Sequence, residues 1–508
     1  MIDPIQQGHL ARPSLFAPLV AAGKPMNTPT SASRLRQFDD LPGPRGVPVF
    51  GNLFQIDSTR LHLQLENWCE EHGPIFKLRL GPRRAVVLGD HELIATALRD
   101  RPDGFRRTTK LEQVWTELGL MAGVFGPNGE TWRRQRRMVM AAFDPGHVKR
   151  YHPALQRVGL RLAKRWQQAA RHGTTIDLQA DLMRFTVDAI AGLAFGAEVN
   201  TLESDEDVIQ KHLNRIFPAV FKRIFAPLPL WRWFPSAEDR ALVHSVVEVN
   251  AAVDGFIAQG RRRLQANPAL REHPSNLLEA LLVAADEPDS GMDDKQVAGN
   301  VLTMLLAGED TTANTLAWMI HLLWQNPQAL AQATAEVRRV CADGEPPTVD
   351  QIGQLNYVEA CAHETMRLKP VAPQNAMQAL RDTTLGDVRI PAGMVVIAVM
   401  RRDAMSETHI HEAARFNPER WFADGHPGQN ASAAKRISMP FGAGPRICPG
   451  RYLALVEMKM AMAVLLSRFD IQNVSTVDGK EPRERLQLAM APVGLRMNVR
   501  EHGISAEA

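Results

Sequence analysis

The chain has 508 residues, with 59 Lys and Arg against 56 Asp and Glu, a formal net charge of +3 and 45% hydrophobic residues. This composition excludes a disordered, collagenous or disulfide-framework protein. The near-balanced charge gives no bulk attraction for nucleic acid, so no nucleic-acid partner is expected. The four cysteines form no CxxC pair, which favours a reducing compartment in which each thiol stands alone.

The first forty residues predict a flexible leader and not a membrane anchor. Their longest apolar stretch, 15–23, is about half of the roughly 20 residues that a membrane-spanning helix needs, and Pro18 interrupts it. Asp3 and the lack of a basic cluster do not fit a secretory signal. We therefore expect a leader over 1–40, no transmembrane anchor, and one domain over 41–508 that works in the cytoplasm as a monomer.

The predicted elements begin with a helix and a hairpin. Ser58 or Thr59 caps a helix that stops at Gly73, and strands follow over 75–80 and 85–88. Apolar periodicity then predicts long helices over 158–170, 178–193, 241–264 and 294–324. Strand and helix patterns return near the C-terminus, at 388–390, 394–398 and 450–466. Since no linker or repeat interrupts this pattern, we expect one mainly helical α+β domain with small sheets, and not the three domains that length alone suggests.

A glycine-rich loop, Phe441-Gly-Ala-Gly-Pro-Arg-Ile-Cys-Pro-Gly450, places Cys448 just before the last long helix. Glycines permit close approach of the backbone, and a helix N-terminus favours the anionic form of a thiol. Phe441 can shield the sulfur, and Arg446 can pair with an anionic cofactor. The loop therefore suits a metal-bound thiolate, against the alternative of an inert cysteine buried in a turn.

A second signal, Ala307-Gly-Glu-Asp-Thr-Thr312, lies in the middle of the predicted helix 294–324. Gly308 costs about 1 kcal/mol relative to alanine inside a helix, so we expect a flat ligand to pass close to it. The Thr311 hydroxyl can donate to the carbonyl of Ala307, and Asp310 adds an acidic neighbour. The alternative is a polar patch on a solvent-facing helix.

The cysteine loop resembles the Phe-x-x-Gly-x-Arg-x-Cys-x-Gly pattern of the cytochrome P450 family, matched at Phe441, Gly444, Arg446, Cys448 and Gly450. The resemblance implies a single-domain cytochrome P450 fold of the soluble bacterial type, with haem b between the long central helix and this loop. It makes Cys448 the axial ligand of the iron and Arg446 a contact of a haem propionate. A thiolate ligand favours O–O cleavage, which points to oxygen activation.

By the same resemblance, the segment 307–312 crosses the distal face of the haem. Ala307 and Gly308 would then lie against the cofactor. Asp310 and Thr311 would deliver protons to oxygen through water.

Two further motifs resemble supporting parts of the same family. Trp132 and Arg136, one helical turn apart, would reach a haem propionate, the alternative being a stacked surface pair. Glu364 and Arg367, with Arg420 of a Pro-Glu-Arg segment, would form a buried salt bridge that supports the haem loop. The Glu-x-x-Arg spacing also recurs elsewhere in the chain, where solvated surface pairs are expected.

The chain departs from the family pattern at two places. Met377 stands where family members often carry an arginine that binds a propionate, so one propionate contact lacks its usual residue. His409 and His411 stand where the family commonly has a Trp and an Asp-Pro. Neither departure touches the chemistry at the iron.

The implied activity is that of a monooxygenase that inserts one oxygen atom from O2 into an apolar organic substrate, by hydroxylation, epoxidation or dealkylation. A fatty acid, a terpenoid or a polyketide-like compound would fit. The resemblance places the substrate pocket on mostly apolar residues, namely Val124, Phe125, Leu302, Leu306, Ala372, Asn375 and Met490.

Electrons from NAD(P)H would arrive through a separate donor of ferredoxin or flavodoxin type with its reductase. A local basic face would receive this donor, formed by Arg133, Arg134, Arg137, Lys435, Arg436 and Arg451. Two alternatives stay open. One is a donor-independent peroxygenase or isomerase, which the pair Asp310 and Thr311 disfavours. The other is a noncatalytic haem-binding protein or haem-free scaffold, which the predicted propionate contacts disfavour.

Overall fold

The computed structural model describes residues 34–120, 123–143, 145–196, 199–203, 208–226, 228–288, 290–422 and 431–503. The chain divides into two units, Met1–Leu35 and Arg36–Ala508, and the helices and strands of the described residues all belong to the second. The predicted leader lies outside the described residues as far as position 33. The packed unit begins before the expected residue 41, because Phe38 is buried in an apolar cluster and the Arg36 N–H donates to the Asp387 carbonyl at 2.8 Å.

Helices make up most of the described residues. In chain order they are α1 Leu61–His72, α2 His91–Arg99, α3 Thr109–Glu117, α4 Gly129–Ala142, α5 Pro145–His172, α6 Leu178–Phe195, α7 Val208–Phe225, α8 Ala237–Ala266, α9 Leu277–Ala285, α10 Asp294–Gln325, α11 Pro327–Val340, α12 Val349–Gln354, α13 Asn356–Leu368, α14 Ala431–Ile437 and α15 Arg451–Arg468. The four predicted long helices all form. The largest difference is at α5, which starts well before residue 158 and continues through Pro153.

The strands are short and form four small sheets within the described residues. They are β1 Ile75–Leu80, β2 Arg83–Leu88, β3 Phe105–Arg107, β4 Ile176–Asp177, β5 Gln374–Ala379, β6 Thr383–Leu385, β7 Val388–Ile390, β8 Val395–Val399, β9 Phe469–Thr476, β10 Glu484–Leu486, β11 Met490–Pro492 and β12 Leu495–Glu501. The largest sheet has the order β1-β2-β8-β5-β3, so it joins strands from both ends of the chain. Another has the order β4-β12-β9, and β6-β7 and β10-β11 form two-stranded sheets. The prediction of a mainly helical α+β domain is confirmed.

The long helix α10 lies at the centre of the core. A reciprocal capping box starts it, since the Asp293 side chain accepts from the Gln296 N–H at 2.9 Å and the Gln296 side chain accepts from the Asp293 N–H at 3.1 Å. Most of its residues are buried on every side, as expected for a helix surrounded by others. It packs mainly on α6, α13 and α8, which fixes the segment 307–312 inside the molecule.

Within the described residues, α8 is the one helix long and apolar enough to cross a membrane by length and composition. Its buried residues Leu242, Val246, Val249, Val253 and Ile257 recur every three or four positions. This stripe faces α7, α9 and α10, and the rest of the helix is mostly exposed. Such a pattern is typical of an amphipathic helix on the core of a folded domain.

Candidate active site

The glycine-rich loop connects α14 to α15 and closes on itself around Cys448. The Cys448 N–H donates to the carbonyl of Phe441 at 2.9 Å. Gly444 has a φ of 70°, and a Cβ at this position would lie 2.6 Å from the Cα of Arg99 at the end of α2. Glycine is therefore required at residue 444 for the loop to pack against α2.

Cys448 differs from the other three cysteines, which are fully buried, because part of its surface is open. Burial still raises the pKa of the Cys448 thiol, and the Gly450 N–H and the charges of Arg136 and Arg451 act in the opposite direction. Arg136 is held in place by donating to the Ile447 carbonyl at 2.6 Å. The Gly450 N–H and the two arginines thus stabilise negative charge on the sulfur, against the effect of burial.

Three arginines, Arg101, Arg107 and Arg446, converge beside the cysteine loop and form what we call the arginine cluster. Burial lowers the pKa of Arg101 to about 10. Burial and the charges of neighbouring arginines lower the pKa of Arg107, and they lower that of Arg446 to about 9. In the described part of the chain, no carboxylate pairs with the cluster, and four of its buried nitrogens have no hydrogen-bond partner. Because buried guanidinium nitrogens without a counter-charge are unfavourable, the cluster is suited to bind an anionic ligand.

Asn128 and Trp132 hold the cluster together. The Arg107 N–H donates to Asn128 Oδ1 at 3.1 Å, and Arg446 Nη2 lies 3.2 Å from the same oxygen. Arg446 also donates to the Pro127 carbonyl at 2.6 Å, and its Cζ lies 4.6 Å from the centroid of the Trp132 ring. The structure thus places Trp132 and Arg446 in contact, whereas Arg136 bonds to the backbone of the cysteine loop.

Sequence reasoning missed Arg101 and Arg107 as candidate cofactor contacts. Arg107 on β3 lies directly opposite Met377 on β5. Met377 is fully buried among apolar side chains, so it offers no polar contact. Arg107 on the adjacent strand is therefore a candidate for the contact that the family's arginine makes, and its position opposite Met377 depends on the register of the folded sheet.

On α10, Thr311 and Asp310 both line a cavity beneath the large sheet. The Thr311 hydroxyl donates to the Ala307 carbonyl at 2.8 Å, as the sequence predicted. Burial raises the pKa of Asp310 to about 6, although the Asn314 side chain and the Ala489 N–H favour its charged form. An acid with this pKa exchanges its proton near neutral pH, which is the property expected of a proton donor.

Gly308 has a different environment from the one predicted. A Cβ at this position would meet Cγ1 of Ile190 on α6 at 3.2 Å, and Gly308 is not part of the cavity lining. The missing side chain therefore serves the close packing of α10 on α6.

The cavity has a volume of about 740 Å³, within the range usual for small-molecule sites. Five of the residues predicted to contact the substrate or the cofactor line this cavity, namely Phe125, Leu306, Ala307, Ala372 and Asn375. Most of its other lining residues are also apolar. The side-chain oxygens of Gln374 and Asn375 are buried there, with no hydrogen-bond partner in the described structure. The cavity thus offers an apolar space with a few polar groups along its wall.

Three predicted pocket residues do not line this cavity. Leu302 and Met490 have no exposed surface, because each packs in a hydrophobic cluster of the core. Val124 is also buried, and its N–H donates to the Asn300 side chain at 2.7 Å. Leu302 and Met490 therefore form no part of the wall of this cavity, since helical or strand periodicity does not distinguish a core face from a cavity wall.

Glu364 is surrounded by donors in a buried ion-pair group. Arg367 Nη2 lies 2.7 Å and Arg420 Nε lies 2.9 Å from Glu364 Oε1, and all three side chains are buried. The Trp421 indole N–H donates to Glu364 Oε2 at 2.9 Å. By contrast, the equally spaced pair Glu412 and Arg415 is exposed. Of these two pairs, the one at 364 has the buried geometry expected of a structural salt bridge.

Residues 41–499 match the family model described as "Cytochrome P450". The chain therefore belongs to the cytochrome P450 family. Like its relatives it is a monooxygenase that holds haem iron through a cysteine thiolate and uses O2 with electrons derived from NAD(P)H. The site fits such a cofactor, because a partly open cysteine and a cluster of arginines without carboxylate partners in the described chain match an iron and two carboxylates.

Among individual proteins, the chain is 28% identical over 446 residues to cyclooctat-9-en-7-ol 5-monooxygenase of Streptomyces melanosporofaciens, covering 88% of this chain and 92% of the relative. It is 26% identical over 464 residues to pentalenene oxygenase of Streptomyces avermitilis, covering 88% and 96%. It is also 31% identical over 449 residues to the self-sufficient cytochrome P450 monooxygenase CYP505AG1 of Oidiodendron maius, covering 85% of this chain but 39% of that relative.

Proposed function

We propose that Cys448 is the thiolate ligand of the haem iron and that the arginine cluster binds the haem propionates. The observation that carries this proposal is the cluster itself, which has no carboxylate partner in the described chain and adjoins the cysteine loop through Arg446. Trp132 stacks on Arg446, and Arg136 adds its positive charge near the sulfur. Gly308, which is partly exposed and packs against Ile190 of α6, is proposed to lie against the haem beside Ala307.

When bound, the haem supplies the oxygen activation that lets one oxygen atom of O2 enter an organic substrate. The chain's own residues supply the proton-transfer groups and stabilise the charge on the sulfur. Asp310 holds or releases a proton at its carboxyl oxygens near pH 6, and Thr311 presents its hydroxyl oxygen to the cavity beside it. The Gly450 N–H and Arg136 stabilise negative charge on the Cys448 sulfur. Phe441 completes the loop by accepting from the Cys448 N–H.

The substrate is proposed to be an apolar molecule of terpenoid or fatty-acid size. The apolar lining and the volume of the cavity support this class. Two relatives are named for cyclooctat-9-en-7-ol and pentalenene, which is consistent with the same class.

The electron donor is proposed to be a separate ferredoxin or flavodoxin with its reductase, in a soluble cytoplasmic enzyme of bacterial type that acts as a monomer. Exposed cations on α4, on α14 and at the start of α15 support a basic docking face, namely Arg134, Arg137, Lys435, Arg436 and Arg451. Turnover with NADPH should need an added ferredoxin and reductase. Equal turnover with hydrogen peroxide alone would instead favour a donor-independent enzyme.

The ligand assignment is tested by the spectrum of the reduced protein under carbon monoxide. The wild type should show the red-shifted Soret band of thiolate ligation, and Cys448→Ala should lose it. Cys341→Ala changes a buried cysteine outside the site and should keep the band. Survival of the thiolate band in Cys448→Ala would refute the assignment.

The proton-delivery roles are tested by the coupling of product to consumed NADPH. Thr311→Ala should keep the haem spectrum but divert a larger share of the electrons to peroxide. Thr312→Ala is the matched control, because Thr312 bonds to Glu457 and does not line the cavity. If coupling in Thr311→Ala equals that of the wild type, Thr311 has no part in proton delivery.

A further inference from the structure

Two histidines and a carboxylate meet at the start of α2, and none of the three lines the cavity. His91 is the first residue of α2, and Asp403 begins the short 3-10 helix Asp403–Met405 that follows β8. His409 lies further along the same segment. One ligand atom from each of these residues lies within 4.8 Å of the other two. We call the three residues the His-Asp-His group.

The distances between the ligand atoms are close to those of a tetrahedral metal site. His91 Nδ1 lies 2.8 Å from Asp403 Oδ2, and His409 Nε2 lies 3.7 Å from the same oxygen. Zinc binds these atom types at about 2.0–2.2 Å, so the ligand atoms of a tetrahedral zinc site are about 3.4 Å apart. The two observed distances lie on either side of this value. Small side-chain movements would therefore bring all three atoms to bonding distance of one ion.

The carboxylate of Asp403 is oriented by its neighbours. Its Oδ1 accepts from Arg402 Nη1 at 2.7 Å, and its Oδ2 accepts from the His91 backbone N–H at 2.8 Å. These two bonds direct Oδ2 toward the histidines. Hydrogen bonds that orient a ligand in this way are typical of metal sites in proteins.

A hydrogen bond does not account for the position of His409. Its Nε2 is too far from Asp403 Oδ2 for such a bond, and its ring meets that of His91 edge-on, with the centroids 5.0 Å apart. The side chain of His409 is 33% exposed, whereas those of His91 and Asp403 are 8% and 3% exposed. A cation would therefore enter from the solvent at His409, where water can fill the fourth position.

The chemistry of the donor atoms indicates which cation fits. Two imidazole nitrogens and one carboxylate oxygen favour a late first-row ion such as Zn²⁺ over Mg²⁺. The charge of Arg402 opposes a bound cation, while the carboxylates of Asp90 and Glu92 at the start of α2 favour it. We therefore expect an affinity below that of structural zinc sites, which have four protein ligands.

We propose that His91, Asp403 and His409 bind one Zn²⁺ ion, with water as the fourth ligand. The ion joins α2 to the segment that follows β8. At its other end α2 packs against Gly444 of the cysteine loop, and the segment supplies a backbone carbonyl to Arg367 of the Glu364 group. Bound Zn²⁺ thus stabilises the folded protein without a contact to the haem.

The test measures Zn²⁺ uptake by the full-length holoenzyme, purified without a histidine tag. Equilibrium dialysis and metal analysis count the bound zinc, and the iron content reports the haem. The wild type should bind one equivalent of Zn²⁺ with a dissociation constant of about 10 μM or below. An equal concentration of Mg²⁺ should not compete for this site.

The decisive variant is His409→Ala, because it removes a partly exposed side chain and leaves the buried residues in place. It should bind this equivalent at least about tenfold more weakly, since groups that merely orient ligands already contribute that much. His411→Ala is the matched control, because His411 is an exposed histidine on the same segment. This control should take up zinc like the wild type.

Two further measurements report on the bound ion. X-ray absorption at the zinc K-edge of the wild type should show scattering from two imidazole ligands. At a Zn²⁺ concentration about 100 times the dissociation constant, the midpoint of thermal unfolding should rise by about 2–5 °C in the wild type and in His411→Ala. In His409→Ala it should rise by less.

Equal zinc uptake by the wild type and His409→Ala, or equal loss of uptake in His411→Ala, would overturn the proposal. A zinc absorption spectrum without imidazole scattering, or no Zn²⁺-dependent rise of the unfolding midpoint, would overturn it as well. The carbon monoxide spectrum should be the same in all three proteins. Failure of the zinc site therefore leaves the haem assignment untouched, and the zinc count stays valid if the haem assignment fails.

Discussion

Two groups of arginines in the molecule differ in whether the described chain supplies a counter-charge. The first is the Glu364 group, in which two arginines and an indole N–H converge on one carboxylate. The second is the arginine cluster of Arg101, Arg107 and Arg446, which has no carboxylate partner among the described residues. The first group is complete without a ligand, whereas the second is electrostatically unfavourable until an anion binds.

This difference separates a structural role from a binding role for the same residue type. A buried ion pair stabilises the fold only while both partners remain, so removal of one partner should destabilise the protein. Unpaired buried cations lower the stability of the folded protein, and binding of an anionic ligand restores it. The two groups should therefore respond in opposite ways to mutation and to removal of haem.

The largest effect is expected at the Glu364 group. Glu364→Gln leaves two buried arginines without a counter-charge and should lower the free energy of unfolding by about 3–5 kcal/mol, with or without haem. Denaturant unfolding followed by circular dichroism measures it. Glu412→Gln breaks an exposed pair of the same spacing and should cost at most about 1 kcal/mol. Equal costs for the two variants would contradict the structural role.

The arginine cluster should behave in the opposite way. Arg107→Leu removes an unpaired buried charge, so the haem-free protein should be as stable as the wild type or more stable. Its affinity for haem should fall by about 10- to 100-fold, as for other groups that support a bound metal centre. Arg106→Leu is the control, because Arg106 pairs with Glu112. If the haem-free Arg107→Leu protein is less stable than the wild type, Arg107 has a structural role like that of the arginines in the Glu364 group.

A smaller effect is expected at Asp310, the carboxylate in the cavity lining. Its pKa of about 6 exceeds the ordinary value of 3.8, so the folded chain keeps a proton that the unfolded chain releases. Stability from this group is therefore highest at low pH and is lost as the pH rises toward 6. Between about pH 4.5 and 6 the loss should be about 1.5 kcal/mol in the wild type. Asp310→Asn should lack this component, and identical pH profiles of the two proteins would show that Asp310 titrates normally.

Local sequence patterns predicted the parts of the fold that depend on nearby residues. The long helices follow from apolar periodicity, and the ends of α6 and α10 lie within a few residues of their predicted positions. The start of α5 was missed because a proline usually ends a helix, yet this helix continues through Pro153. The cysteine loop was recognisable since its glycines and Cys448 are contiguous.

The parts that depend on tertiary packing were not predictable in the same way. Arg107 lies opposite Met377 only because β3 and β5 pair in a particular register. Gly308 faces Ile190 of α6, and Leu302 lies fully inside the core, although both are on the helix that carries Thr311. Which side of a buried helix meets a cavity depends on its neighbours, and the sequence of the helix does not contain that information.

The most direct test of the central claim, that the arginine cluster is built for the two carboxylates of haem, uses the haem-free protein. It is titrated with haem and with haem dimethyl ester, in which both propionates are neutral, and the dissociation constants are compared. We predict that the wild type binds haem at least about tenfold more tightly than the ester, and that Arg107→Leu/Arg446→Leu binds the two alike. Equal affinities of the wild type for haem and its diester would contradict the claim.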